Sequence, residues 1–329
     1  MELVADRVGL GELPKVLICA DKPRSAAKIL PHAKALAAAL DADLTLLHIM
    51  EAHNSTFVPA DPVEWECSRR EAEAFVGALA SAHSSPDRSI STRVLQGCPS
   101  DQIATCVSNG LDDVVVLCRS TADTPGLLGQ TVRNVVDKVD SSVLVIPPDT
   151  VNAKKPPYRR VLLPLDGSPR AEVAISIAAK IARDQGADIV LVHAVPQPDL
   201  IAVVPLETED IELRDRLQRR NERVAQNYLE RQCEQIRGLG VAARPLVLVD
   251  GDVRRQLKGA IASESADLVV ISSYGNGGHA DVSAGDMAIF LLANASAPVL
   301  MVRQARGVRG GHVHAPAQSN GVRQPTGAS

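Results

Sequence analysis

Short, unbroken apolar runs rich in Val, Ile and Leu recur along the chain and alternate with stretches whose apolar residues fall at helical spacing. A strand covered by helices on both faces reads in this way, as a continuous run with no polar alternation. In the second half the runs lie near 160–165, 188–194, 245–249, 267–272 and 298–302. Between them, AEVAISIAAKIARDQG (171–186) predicts a helix stopped by Gly186. RDRLQRRNERVAQNYLERQCEQIRGLG (214–240) predicts another, with a charged outer face and Gly238 after its end. Strands and helices in alternation predict a parallel α/β sheet with right-handed connections.

The pattern is written twice. VLICAD (16–21) matches VLLPLD (161–166), and LDADLTLLHI (40–49) matches QGADIVLVHA (185–194), both at an offset of 145. LDDVVVLC (111–118) matches SADLVVIS (265–272) at 154, an offset that Gly97 and Gly251 share. SVLVI (142–146) matches PVLMV (298–302) at 156. Offsets shared across separated segments predict two homologous domains. The fold class expected is α/β, as two tandem doubly wound parallel-sheet domains of five strands each, at 15–147 and 159–303. An N-terminal extension (1–14) precedes them. A linker (148–158), within PPDTVNAKKPPYRR (147–160), joins them. The tail, 304–329, is rich in Gly, Pro, Ser and Gln, and its composition predicts disorder. It carries Arg306, Arg309, Arg323, His312 and His314 but no acid. It reads as a solvated end, with weak contact to an anion or metal as the alternative.

Composition narrows the function. A length of 329 residues suits two ordinary domains. Hydrophobic residues make up 45% and aromatic residues only 2%, so the cores must be aliphatic. A net charge of −4 argues against a nucleic-acid partner. No apolar run approaches the ~20 residues of a membrane helix, which argues against a membrane partner. Glu2, Asp6, Arg7 and Glu12 among the first residues do not read as a signal peptide. Six cysteines, at 19, 67, 98, 106, 118 and 233 and without a CxxC pair, read as reduced thiols of a cytoplasmic protein.

An open parallel sheet binds ligands at the carboxyl ends of its strands, where chain order reverses. If strand four lies beside strand one, that crevice in the second half is lined by PLDGSP (164–169) and SSYGNGG (272–278). Ser168 before Pro169 fits a helix N-cap with proline at the first helical position. Asp166 has two open readings, a turn former or a carboxylate accepting from an adenine amino group or a ribose hydroxyl. Gly275, Gly277 and Gly278 allow close backbone approach ahead of a helix start near Gly285, whose free N–H groups favour an anion.

These residues resemble the universal stress protein family in its tandem form. The family pattern has an Asp at the end of strand one. After strand four it has Gly, two residues, Gly, nine residues, then Gly with Ser or Thr. Gly275, the nine-residue gap and Gly285 match it, whereas Ser272 stands for the first Gly and Asp286 for the hydroxyl residue. LPHAKALAAAL (30–40), DPVEWECSRREAEAF (61–75) and YRRVLLPLDGS (158–168) add smaller echoes. The resemblance covers roughly 15–147 and 159–303. It implies a Rossmann-like fold of the HUP group, a regulatory role in stress response and an internal pseudo-dimer joined through the last strands, with a homodimer as a further state. It also implies ATP or another adenine nucleotide, held by Pro164, Asp166, Ala194, Ser272, Gly275, Gly285 and Asp286.

Asp286 changes that implication. A carboxylate about 5 Å from a phosphate charge costs on the order of 3 kcal/mol at an effective dielectric of about 20, or about two powers of ten in affinity. Asp286 also suits a cap of the helix that follows. Binding, if retained, is then weak and confined to the second half. In the first half Asp21 persists, but Lys22 and Pro23 replace Gly167 and Ser168, and CRSTADTPGLLGQT (118–131) keeps only Gly129 of the pattern, followed by Gln130. Arg119 can hold a phosphate or be a plain surface arginine. Cys19 and Cys118 read as small buried thiols, with a redox or metal pair as the alternative. No Walker loop, HExxH, ATP-pyrophosphatase loop or His-x-Gly-His motif is present to support an enzyme of the wider adenine-nucleotide α/β group, so no catalytic residue is assigned and at most weak ATP hydrolysis is expected. The alternative to nucleotide regulation is a nucleotide-independent scaffold with an unidentified protein partner.

Overall fold

The computed structural model describes residues 14–21, 23–50, 61–85, 88–107, 113–120, 127–150, 158–198, 207–249, 251–273 and 284–303. The glycines at 275, 277 and 278, most of the linker and the tail from 304 lie outside them. The first half runs β1 (Lys15–Cys19), α1 (Pro23–Leu40), β2 (Asp43–Met50), α2 (Pro62–His83), β3 (Ile90–Gln96), α3 (Pro99–Cys106), β4 (Val114–Cys118), α4 (Gln130–Lys138) and β5 (Ser142–Ile146). The second repeats it as β6 (Arg160–Pro164), α5 (Pro169–Gln185), β7 (Asp188–Val195), α6 (Thr208–Gly238), β8 (Ala243–Val249), α7 (Val253–Ser263), β9 (Leu268–Ser272), α8 (Asp286–Asn294) and β10 (Val299–Val302).

All ten strands form one sheet, ordered β3-β2-β1-β4-β5-β10-β9-β6-β7-β8. Each half is parallel, and its order reverses between strands one and four: β4 lies beside β1, and β9 beside β6. The halves meet through antiparallel pairing of β5 with β10, with Leu144 opposite Leu300. The internal pseudo-dimer through the last strands is therefore present. Successive strand residues serve opposite faces. Val16, Ile18, Leu144 and Ile146 pack on the face with α1 and α5, whereas Leu17, Val143, Val145 and Met301 pack on the face with α4 and α8.

Helix ends follow local chemistry. Ser168 caps α5 by accepting the Ala171 N–H at 3.1 Å, Pro169 opens the helix, and Gly186 ends it with a left-handed φ of 66°. α6 starts earlier than its apolar pattern predicts. Asp210 accepts the Glu207 N–H at 3.1 Å, which adds a polar first turn that periodicity does not register. Gly238 belongs to its last turn, and the chain turns away at Gly240, φ 80°.

A polar pair also joins the halves. His32 of α1 and Tyr158, just before β6, are both buried, with Nδ1 and the phenol oxygen 2.9 Å apart. Burial lowers the His32 pKa from 6.5 to about 4, opposed by the charge of Asp267. The folded protein thus keeps this imidazole neutral, and the unfolded chain takes up the proton first as pH falls. Stability from this group is complete above about pH 6.5 and is lost progressively towards pH 4. Urea denaturation across that window should show the native protein losing up to about 3 kcal/mol more than His32→Gln, which can keep the hydrogen bond without titrating. Equal losses in the two proteins would remove His32 as the cause.

Candidate functional site

The reversal between β6 and β9 opens a cavity of about 250 Å³ at the carboxyl ends of the strands. Pro164 and Asp166 line it from the end of β6, Val192 and Ala194 from β7, and Ile271, Ser272 and Ser273 from β9. α7 adds Val253 and Leu257, and the start of α8 adds Gly285, Met287 and Ala288. Five of the residues expected from the sequence (Pro164, Asp166, Ala194, Ser272 and Gly285) therefore come together around one space. Gly275 lies outside the described residues, and Asp286 stands beside the lining without joining it.

Each wall is set by backbone bonding. Leu165 donates its N–H to Val192 at 2.8 Å, and its carbonyl accepts from His193 Nδ1 at 2.7 Å. Gly167, at φ 82°, takes a left-handed turn that a side chain would strain, and the Ser168 N–H returns to Asp166 Oδ1 at 2.9 Å. Asp166 is thus held half-buried at the cavity wall by a turn, as its reading as a turn former expects. Opposite, the Ser273 carbonyl accepts the Gly285 N–H at 2.7 Å, and a Cβ on Gly285 would meet that oxygen at 3.3 Å. Glycine favours this close approach, since its φ of −70° suits any residue and a Cβ would require the Ser273 carbonyl to shift by a few tenths of an ångström.

Gly285 occupies the N-cap position of α8, and no side chain caps it. The expected cap by Asp286 is therefore corrected. Asp286 is the first helical residue and exposed, placed to act on the helix dipole only through space. Ser273 went unnoticed in the sequence, where it is one more serine after a strand. Its Oγ is buried and has no hydrogen-bond partner among the described residues. His193 was also missed, although it repeats His48 at the offset of 145. His48 donates to the Ala20 carbonyl at 2.8 Å, as His193 does to Leu165. Beyond His193, Tyr228 and Gln232 both donate to Glu172 Oε1, at 3.0 and 3.1 Å. Burial, then the hydrogen bond and charge of Glu172, then the charge of Asp166, keep the Tyr228 phenol protonated far above its usual range.

The first half has the same frame with larger contents. Ile49 stands where Ala194 does, Leu47 for Val192, and Leu128 for Ala284. Ile49, Leu128 and Cys19 pack against the apolar core on that face. The Asp21 carboxylate accepts a hydrogen bond from Ser25. Cys19 and Cys118 end adjacent strands, and burial pushes both thiols up, as suits packed and unreactive sulfur. Among the described residues no His, Cys, Asp and Glu cluster could hold a metal. Arg119, read as either a phosphate holder or a surface residue, does neither. Its guanidinium crosses to the other half and donates to the carbonyls of Leu292, Ala293 and Ala295, at 3.1, 2.6 and 3.5 Å, at the end of α8.

A family model described as the universal stress protein family matches residues 12–147 and again 157–303. The chain belongs to the universal stress protein family. A universal stress protein of Mycobacterium tuberculosis is 27% identical over 270 residues, covering 80% of this chain and 88% of its own. A universal stress protein of Thermus aquaticus is 30% identical over 147 residues, 44% of this chain and 99% of that one. The crystal structure of a universal stress protein from Archaeoglobus fulgidus shares the fold at a TM-score of 0.62, with 15% identity over 88% of this chain and 98% of that one. The tandem universal stress protein organisation expected from the repeat is thus shown.

Two substitutions test the frame. Ser168→Ala should lower the unfolding free energy by about 1 kcal/mol through loss of the α5 cap, read by urea denaturation. Arg119→Met should cost about 1.5–3 kcal/mol by releasing the carbonyls at the end of α8. An unchanged midpoint in the second variant would mean that the cross-domain bonds carry no net stability.

Proposed function

We propose that this universal stress protein is a regulatory protein of stress response that binds an adenine nucleotide weakly, in the cavity between β6 and β9, and that it is not an enzyme. The observation that carries the reading is a positioned carboxylate, Asp166, lining one largely apolar cavity at the strand reversal together with Ser273, whose buried Oγ has no partner among the described residues. Buried polar groups that lack a protein partner are expected to find one in water or ligand. An apolar cavity with a few convergent polar groups is the usual form of a small-molecule site. Pro164, Ala194, Ser272, Gly275 and Gly285 complete the proposed nucleotide contacts, with domains at 15–147 and 159–303 and a cytoplasmic location.

The Asp286 carboxylate, on the rim where the family pattern has a hydroxyl, and the larger Leu47 and Ile49 at the matching positions of the first half support a second reading. In it the tandem is a nucleotide-independent scaffold for a protein partner or a second copy. Calorimetric titration of ATP, ADP and AMP into the purified protein separates the two. The nucleotide reading expects micromolar or weaker binding that falls at least tenfold in Asp166→Ala. Retained affinity in that variant would place the nucleotide elsewhere and defeat the reading.

A further inference from the structure

The cavity contains the wrong charges for a polyphosphate. Among the described residues no lysine or arginine lines it, and the one ionisable lining residue among them is Asp166. Asp286 adds a second carboxylate on the rim, between the lining residues Gly285 and Met287. The ten residues that join Ser273 to Ala284 include Asp281 and His279 and no lysine or arginine. Among nearby cations, the Arg254 guanidinium lies over the Phe290 ring, 5.5 Å from its centroid. Arg170 and Arg255 are exposed on α5 and α7, outside the lining. The Gly285 N–H, the first donor that the turn ahead of α8 could offer an anion, is already given to the Ser273 carbonyl.

The remaining features suit a neutral heterocycle. Val192, Ala194, Leu257, Ile271 and Met287 form an apolar slot. Asp166 can accept from a pair of sugar hydroxyls or from an exocyclic amine, and Ser273 Oγ supplies a buried group without a partner among the described residues. A space of about 250 Å³ lies below the range of about 300–1,000 Å³ usual for larger ligands. Resting on the adenine reading of this cavity, we propose that the site selects the uncharged purine nucleoside over its triphosphate. The selecting element is Asp286, which repels phosphate from the start of α8.

The test is calorimetric titration of adenosine, AMP and ATP, with EDTA present, into the native protein, Asp286→Ser and Ala194→Phe, at 20 and 200 mM salt. The expected order in the native protein is adenosine tightest and ATP weakest, by about tenfold or more. Salt should strengthen ATP binding and leave adenosine unchanged, because screening relieves repulsion. That sign is opposite to the one a cationic phosphate site would show. Asp286→Ser should bring ATP closer to adenosine, and Ala194→Phe should abolish adenosine binding by filling the slot. ATP binding more tightly than adenosine, or weakening with salt, would overturn the selectivity and leave the adenine reading standing. Failure of all three ligands in both the native protein and Asp286→Ser, or binding that survives Ala194→Phe, would overturn the adenine reading and the selectivity with it.

Discussion

The structure depends on one antiparallel seam. β5 and β10 are the last strands of two otherwise parallel sheets, and their pairing turns two five-stranded layers into one of ten. A terminal strand left alone would expose a row of unpaired N–H and C=O groups, and in this chain those strands are apolar apart from Ser142. Pairing them with each other removes both edges at once. It also brings α1 against α5 on one face and places the end of β4 near the end of α8 on the other. The seam is therefore also the route by which each half reaches the other's helix ends.

The reach is used in both directions. Arg119 bonds the last carbonyls of α8, and Arg303, just after β10 and itself buried, bonds the Val136 carbonyl near the end of α4. Cations at helix C-termini complement the negative end of the helix dipole and satisfy carbonyls that have no partner within the helix. For α8 this has a particular bearing, because the opposite end of the same helix borders the cavity. The first half no longer has the glycine pattern of a phosphate loop, yet its arginine supports the helix on which the other half's site rests.

The two crevices share a backbone frame at the turns after β1 and β6 and differ in the side chains that line them. His48 and His193 hold the turns after β1 and β6 through the same carbonyl bond, so the two frames remain alike where the site begins. The difference lies in what fills them. Isoleucine in place of Ala194 and leucine in place of Val192 add bulk at positions that line the cavity in the second half. A filled crevice gains burial of apolar area, and an open one forgoes it.

Much of the fold was legible in the residues alone. Unbroken apolar runs located the strands, the shared offsets revealed the duplication, and Ser168-Pro169 and Gly186 marked the ends of α5, because these signals are local and depend on the period of one element. The placement of Asp166 at a strand end followed from the same logic. Tertiary structure decided what those signals could not encode. Ser273, Leu257 and Met287 share a cavity with Asp166 only because β9 pairs with β6 and α7 packs against β7 and α8, nearly a hundred residues away or more in sequence. Arg119 finds its carbonyls in the other half for the same reason. The cap of α8 passed from Asp286 to Gly285 because the Ser273 carbonyl captures the Gly285 N–H and fixes where the helix begins. A residue's type sets what bonds it can make, and the packing of distant elements sets which of those bonds are within reach.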